Sequence, residues 1–166
     1  MLGGARSGKS AFAERLAGAM GGERVLYVAT ALAGRDPGLE KRVHLHRERR
    51  PVGWGTLEVG GGGLGAVLEA ADLWEAVLLD SLTLWVSARV ADEEQGILEE
   101  FDGFLEGAEV LATPLILVSD EVGLGVVPES EAGRRFRDVL GLVNQRAAAA
   151  AAEVHVCVAG IGVRIK

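Results

Sequence analysis

Short apolar runs alternate along this chain with longer stretches of helical periodicity. Residues 24–30 (RVLYVAT), 76–80 (AVLLD), 114–119 (PLILVS) and 154–159 (VHVCVA) are of strand length, rich in β-branched residues and leucine, and read as buried strands. Helical patterns fill residues 11–20, 64–73, 82–106 and 131–152, the third broken near Gly96. Asp36-Pro37 looks like an N-cap followed by proline at the first helical position, opening a helix that runs to about Arg50, ahead of Pro51. Residues 55–59 read as a short strand, 60–63 as a glycine loop, and 163–166 as a segment able to pair at a sheet edge. Apolar strands alternating with helices predict an α/β chain whose parallel sheet is covered on both faces. The alanine run at 147–152 needs nothing beyond helix propensity and close packing.

The chemistry begins at the N-terminus. Gly3-Gly4-Ala5-Arg6-Ser7-Gly8-Lys9-Ser10 is a full G-x-x-x-x-G-K-S phosphate-binding loop, set directly before the amphipathic run 11–20. Its glycines let successive backbone N–H groups turn toward phosphate oxygens. Lys9 is placed to reach the β- and γ-phosphates, Ser10 to ligate Mg²⁺, and the helix start to direct its positive dipole end at the same anion. Such a loop normally follows a buried strand, and only Met1 and Leu2 precede Gly3. Either the strand is completed upstream, from a start placed too late here, or the chain tolerates a stub; we expect the former.

Composition narrows the class. A chain of 166 residues fits one domain with a real core. Hydrophobic residues make up 49%, yet no uninterrupted apolar run reaches membrane-spanning length and no signal-peptide pattern is present. The net charge of −7, with no basic tail, argues against a general nucleic-acid binder. Cys157 is the lone cysteine, flanked by valines. It suits a reducing cytoplasm and reads as an inert core residue. Arginine outnumbers lysine and Asn144 is the single asparagine, a bias that suits a thermophile or a GC-rich genome equally.

Three further constellations are candidates. Asp80 closes an apolar strand, the place of a Walker-B acid that holds Mg²⁺ opposite Ser10, although alone it would read as a turn or helix cap. In the basic stretch 41–50, Arg42 lies four residues before His46, and Arg49 and Arg50 three and four after it, so all share one helical face. His44 points elsewhere, which excludes a two-histidine metal site on that face. Neighbouring guanidiniums favour the neutral, nucleophilic imidazole at His46 and can clamp phosphates. A solvated basic face is the plainer reading. The segment EVGLGVVP (121–128) follows a strand, where loops line the ligand crevice of parallel sheets. Asp120 or Glu121 there is a base, a metal partner or a turn former. His155 and the three tryptophans, Trp54, Trp74 and Trp85, read as structural.

Taken together these segments resemble the bifunctional adenosylcobinamide kinase/adenosylcobinamide-phosphate guanylyltransferase family of cobalamin biosynthesis. The matching stretches are GGARSGKS (3–10) with Ala13-Glu14, YVATA (27–31), the R-V-x-x-H-R-x-x-R-P-x-x-W-x-T-x-E pattern at 42–58, and LLDSLTLWVS (78–87). EVGLGVVPES (121–130), RRFRD (134–138), NQR (144–146) and AGIGVRIK (159–166) complete a match that covers nearly the whole chain in order. The resemblance implies a P-loop NTPase fold, three-layer α/β/α with a mostly parallel, RecA-like sheet. It implies two reactions: phosphorylation of the adenosylcobinamide hydroxyl by ATP or GTP, then transfer of GMP from GTP to that phosphate through a guanylylated histidine, here His46. It further implies that Ala29, Thr30, Ala31, Arg47, Glu48, Arg49, Arg50 and Glu58 line the nucleotide site, with Glu58 placed to read guanine. Mg²⁺ is the implied metal, and a homotrimer the implied assembly.

The chain departs from the family pattern at Asp120 and Ala88, each usually Asn, and at Ser81, usually Cys. Two other readings compete. An ordinary P-loop small-molecule kinase needs Lys9, Ser10 and Asp80 but not His46, and a nucleotide-binding switch turns over nothing.

Overall fold

The computed structural model describes residues 1–30, 50–61 and 63–166. The expected helix over 37–50, together with Ala31, His46, Arg47, Glu48 and Arg49, lies outside the described residues apart from Arg50. Among the described residues twelve elements follow in order: β1 (Leu2–Gly3), α1 (Lys9–Gly21), β2 (Val25–Ala29), β3 (Gly55–Glu58), α2 (Gly65–Ala71), β4 (Ala76–Asp80), α3 (Leu82–Ala88), α4 (Glu94–Glu109), β5 (Leu115–Val118), α5 (Glu131–Ala150), β6 (His155–Val158) and β7 (Ile161–Arg164).

The strands form two ladders, β3-β2-β4-β5, parallel throughout, and β1-β6-β7, in which β1 and β6 are parallel. The two-residue β1 joins them. The Met1 amino group donates to the Leu117 carbonyl at 2.8 Å, Ser119 N–H to the Met1 carbonyl at 3.0 Å, and Glu121 N–H to the Gly3 carbonyl at 3.2 Å. The other side of β1 pairs Leu2 with Val156 and Gly3 with Cys157. The strand feeding the phosphate loop thus sits between β5 and β6, short as its sequence is. Ahead of Met1 a cavity of about 430 Å³ opens between β5 and β6, bordered by Leu16, Leu117, Ala147, Ala151 and Val154.

Two apolar layers cover the sheet. On one face Ala13 and Ala17 of α1 pack on Val25, Tyr27, Ala76, Leu78 and Val118. On the other, Leu26, Val28, Val77 and Leu79 meet α2 to α5, with Trp85, Phe101 and Leu140 fully buried. Period-two alternation within β2 and β4 explains why both strands read as continuous apolar runs: each side of each strand faces helices.

The long helical pattern after Asp80 breaks at residues 89–93, not near Gly96. Arg89 ends α3 and turns the chain, its side chain pairing with Asp92 at 3.0 Å and with Glu100. Gly96 sits in the first turn of α4, where its backbone freedom costs little. Ser81 and Ser130 cap α3 and α5, accepting from Leu84 N–H at 3.4 Å and Gly133 N–H at 3.1 Å. The edge segment expected at 163–166 is β7, which begins two residues earlier and returns antiparallel to β6 through Ala159 and Gly160, both at positive φ (50° and 83°).

Candidate functional site

Strand register gathers the candidates. Glu58, Ala29, Asp80 and Val118 are mutually paired across β3, β2, β4 and β5, so they form one row at the carboxyl edge of the sheet. The phosphate loop, Gly3 to Ser10, leaves β1 beside β5 at that same edge. This is the crevice where parallel sheets bind ligands.

The loop's geometry rests on a few close approaches. Gly8 sits at φ 92° and Arg6 at φ 58°, the left-handed turns that bring backbone N–H groups round toward a common centre. At Gly3 a Cβ would lie 2.5 Å from Ser7 Oγ and 2.7 Å from the Cys157 carbonyl, so only glycine fits. Ser7 N–H donates to the Gly4 carbonyl at 3.2 Å, and Gly160 N–H to the Ser7 carbonyl at 2.8 Å, tying the loop to the β6–β7 turn. Ser7 Oγ is buried without a hydrogen-bond partner. Lys9 is buried, only 9% exposed, and its ammonium donates to the Gly4 carbonyl at 3.3 Å and pairs with Asp120. Ser10 follows in the first turn of α1, and Ala5 and Arg6 face solvent.

Asp80 is half-buried and oriented from β2. The Tyr27 hydroxyl donates to Asp80 Oδ2 at 3.0 Å, diagonally across the ladder. Burial raises the Tyr27 phenol far above its ordinary value, and the Asp80 charge raises it further, so Tyr27 stays a donor at any working pH. The Arg50 guanidinium lies over the Tyr27 ring, 3.3 Å from its centroid, and its Nη1 reaches Thr56 Oγ1 at 3.3 Å. The end of the basic stretch is therefore brought to the strand that supports Asp80. Thr30 behaves differently from a ligand-facing residue. It is 1% exposed, and its hydroxyl donates to the Ser81 carbonyl at 2.7 Å while accepting from Ser81 N–H at 2.9 Å. It clamps the end of β2 to the residue after Asp80. Glu58 lies at the exposed end of β3.

Some of these roles escaped the sequence reading. Tyr27 looked like one more strand residue, and Thr30 a pocket residue. Thr83 and Asn144 fix the backbone of Asp120: its N–H donates to Thr83 Oγ1 at 2.7 Å, and its carbonyl accepts from Asn144 Nδ2 at 3.0 Å. The available signal was the single asparagine, buried on an otherwise apolar helix face. The loop 121–128 carries exposed Leu124 and Val126, and Glu121 Oε1 accepts from Gly123 N–H at 2.7 Å, the turn-forming role. Cys157 is buried and unpaired, Trp85 is core, and Trp54 donates to the Gly22 carbonyl at 3.0 Å, all structural. Among the described residues no helix is long and apolar enough to cross a membrane, and no three His, Cys, Asp or Glu side chains cluster as a metal site.

A phosphate loop and a strand-terminal carboxylate, on strands separated by one neighbour in a parallel sheet, define a P-loop NTPase. The comparison with known proteins is more specific. The family model for cobinamide kinase/cobinamide phosphate guanyltransferase matches residues 1–165, and the chain belongs to that family. The bifunctional adenosylcobalamin biosynthesis protein CobP of Pseudomonas aeruginosa is 42% identical over 167 residues, covering 100% of this chain and 95% of the relative. The corresponding CobU of Escherichia coli (strain K12) is 39% identical, and that of Salmonella typhimurium 38%, each covering 100% of this chain and 98% of the relative.

Proposed function

We propose that this chain, acting as one domain, carries out two successive transfers on one substrate. ATP or GTP first phosphorylates the hydroxyl of adenosylcobinamide. GTP then donates GMP to the new phosphate, giving adenosylcobinamide-GDP and pyrophosphate. The observation that carries the reading is the single row of Glu58, Ala29 and Asp80 beside the phosphate loop, in a chain matched to the family from end to end.

In the first transfer the amides of residues 3–10 and Lys9 hold the donor's phosphates, and Lys9 stabilises charge on the transferring group. Ser10 and Asp80 would hold Mg²⁺. They fit it: both are hard oxygen donors, among the described residues Tyr27 engages only one Asp80 oxygen, and the substrate's phosphates supply further oxygens. When bound, the ion neutralises charge on the phosphate oxygens.

In the second transfer a neutral His46 nitrogen attacks the α-phosphorus of GTP. The bond to the β-phosphate oxygen breaks, and pyrophosphate leaves under the charge of Lys9 and the loop amides. An oxygen of adenosylcobinamide phosphate then attacks the phosphorus, the N–P bond breaks, and imidazole is restored. Arg47, Arg49 and Arg50 hold phosphates in line, Glu58 accepts from the guanine N1–H and N2 donors, and Ala29, Thr30, Ala31 and Glu48 shape the pocket. Thr30 acts there through Ser81 and Asp80. The reading includes a cytoplasmic enzyme assembled as a homotrimer that binds neither membrane nor nucleic acid.

Adenosylcobinamide incubated with ATP, Mg²⁺ and the protein, then with GTP, tests this by chromatography of the corrinoids. The phosphate forms with ATP, and the GDP derivative after GTP. His46→Ala keeps the first product and loses the second. Formation of the phosphate alone by the unaltered protein would leave an ordinary kinase, and neither product would refute both steps.

A further inference from the structure

The Lys9 ammonium is held by Asp120 in the place where a phosphate would meet it. Asp120 is the first charged residue after β5, the strand lying between the loop's own strand and that of Asp80. Its backbone is fixed from two sides, by Thr83 and by Asn144, so the carboxylate is aimed at the loop rather than arriving there by chance. Among the described residues Lys9 has one other acceptor, the Gly4 carbonyl at 3.3 Å. The ammonium side chain is 11% exposed and the Asp120 side chain 23%. A cation this buried needs a counter-charge when no phosphate is present.

We propose that Asp120 is a positioning residue that serves as the resident counter-ion of the phosphate loop, and that nucleotide binding is an exchange of Asp120 for phosphate on Lys9. The inference rests on the phosphate-loop reading above. An incoming phosphate meets an ammonium already neutralised and a carboxylate of like charge beside it, so Asp120 must give way. Its presence stabilises the nucleotide-free protein, weakens nucleotide affinity and speeds product release. The first two effects are one free energy seen from different sides, because whatever stabilises only the empty form is subtracted from binding; faster release is the kinetic consequence of the weaker hold.

The test is calorimetric titration with GDP, whose β-phosphate reaches Lys9, on the full chain and on Asp120→Asn, Lys9→Met and the double variant. Each titration is run with Mg²⁺ and with EDTA. Asn is isosteric and leaves the backbone bonds to Thr83 and Asn144 in place. Asp120→Asn is expected to lower the GDP dissociation constant about tenfold with or without metal. In the Lys9→Met background the same change should have an effect of less than about twofold. Nucleotide-free Asp120→Asn should melt below the parent, and saturating GDP should close the gap; this readout stands even if Lys9→Met does not fold. An unchanged constant in Asp120→Asn overturns the proposal. So does weakening that requires Mg²⁺, which would make Asp120 a metal ligand. Tightening that survives Lys9→Met does too, because Asp120 would then act by repelling phosphate directly. Absence of GDP binding to the parent would remove the phosphate-loop reading itself, and the proposal with it.

Discussion

Tyr27→Phe isolates a single hydrogen bond at the site. The phenol oxygen lies 3.0 Å from Asp80 Oδ2, and the ring beneath Arg50 is untouched by the change. A hydrogen bond to an ionised partner contributes about 1.5–3 kcal/mol, but Asp80 is half-buried and water can take the lost donor's place. We set the net cost at about 1 kcal/mol, which for a chain of this length lowers Tm by about 3 °C. The same loss of orientation at Asp80 should raise the half-saturating Mg²⁺ concentration of the kinase reaction about fivefold. The pH dependence has a definite sign. The folded phenol titrates above its unfolded value, so its contribution is present in full below pH ~10 and is lost as pH rises beyond that. Tyr27→Phe should therefore flatten the alkaline limb of the stability curve. Thermal melts across pH, together with Mg²⁺ titrations of activity, check both consequences. A variant with unchanged Mg²⁺ dependence would show that Tyr27 does not orient Asp80 and would refute the reasoning.

Other outcomes follow from close packing and from burial. Gly3→Ala places a methyl group against a backbone carbonyl of β6 that cannot rotate away; it should cost about 2 kcal/mol in thermal melts and weaken GDP binding at least about tenfold by calorimetry. Four apolar residues added ahead of Met1 should extend β1 into the 430 Å³ cavity and raise stability in denaturant titrations by about 3 kcal/mol. Burial lowers the Met1 amine's pKa, so the parent chain should gain stability as pH rises toward the ordinary amine value near ~8; the extended chain, with an amide there, should lack that gain.

Much of this architecture was legible because each element carries its own local signal. Val25 to Ala29 and Ala76 to Asp80 are apolar on both sides, and they are the strands covered by helices on both faces. The break after α3 was misplaced because glycine is a weak terminator inside a helix, whereas the turn at Arg89 depends on Asp92 and Glu100, one of which lies in the next helix. The loop and Asp80 were readable as a spacing and a strand end. Roles that arise only when strands pair were not readable: Tyr27 reaches Asp80 across 53 positions, Thr30 reaches Ser81 across 51, and Lys9 meets Asp120 only because β1 is seated beside β5. The position of β1 was not readable either, because it depends on partners distant in sequence: Leu117, Ser119 and Glu121 on one side, and Val156 and Cys157 of β6 on the other.

The central claim is that one histidine carries GMP between GTP and the corrinoid. Intact-protein mass after incubation with GTP and Mg²⁺, beside His46→Ala, tests it most directly. The account predicts a gain of one GMP on the unaltered chain alone, released by mild acid as a phosphoramidate would be. An unmodified mass, in protein that still binds GTP and forms the corrinoid GDP derivative, would contradict it.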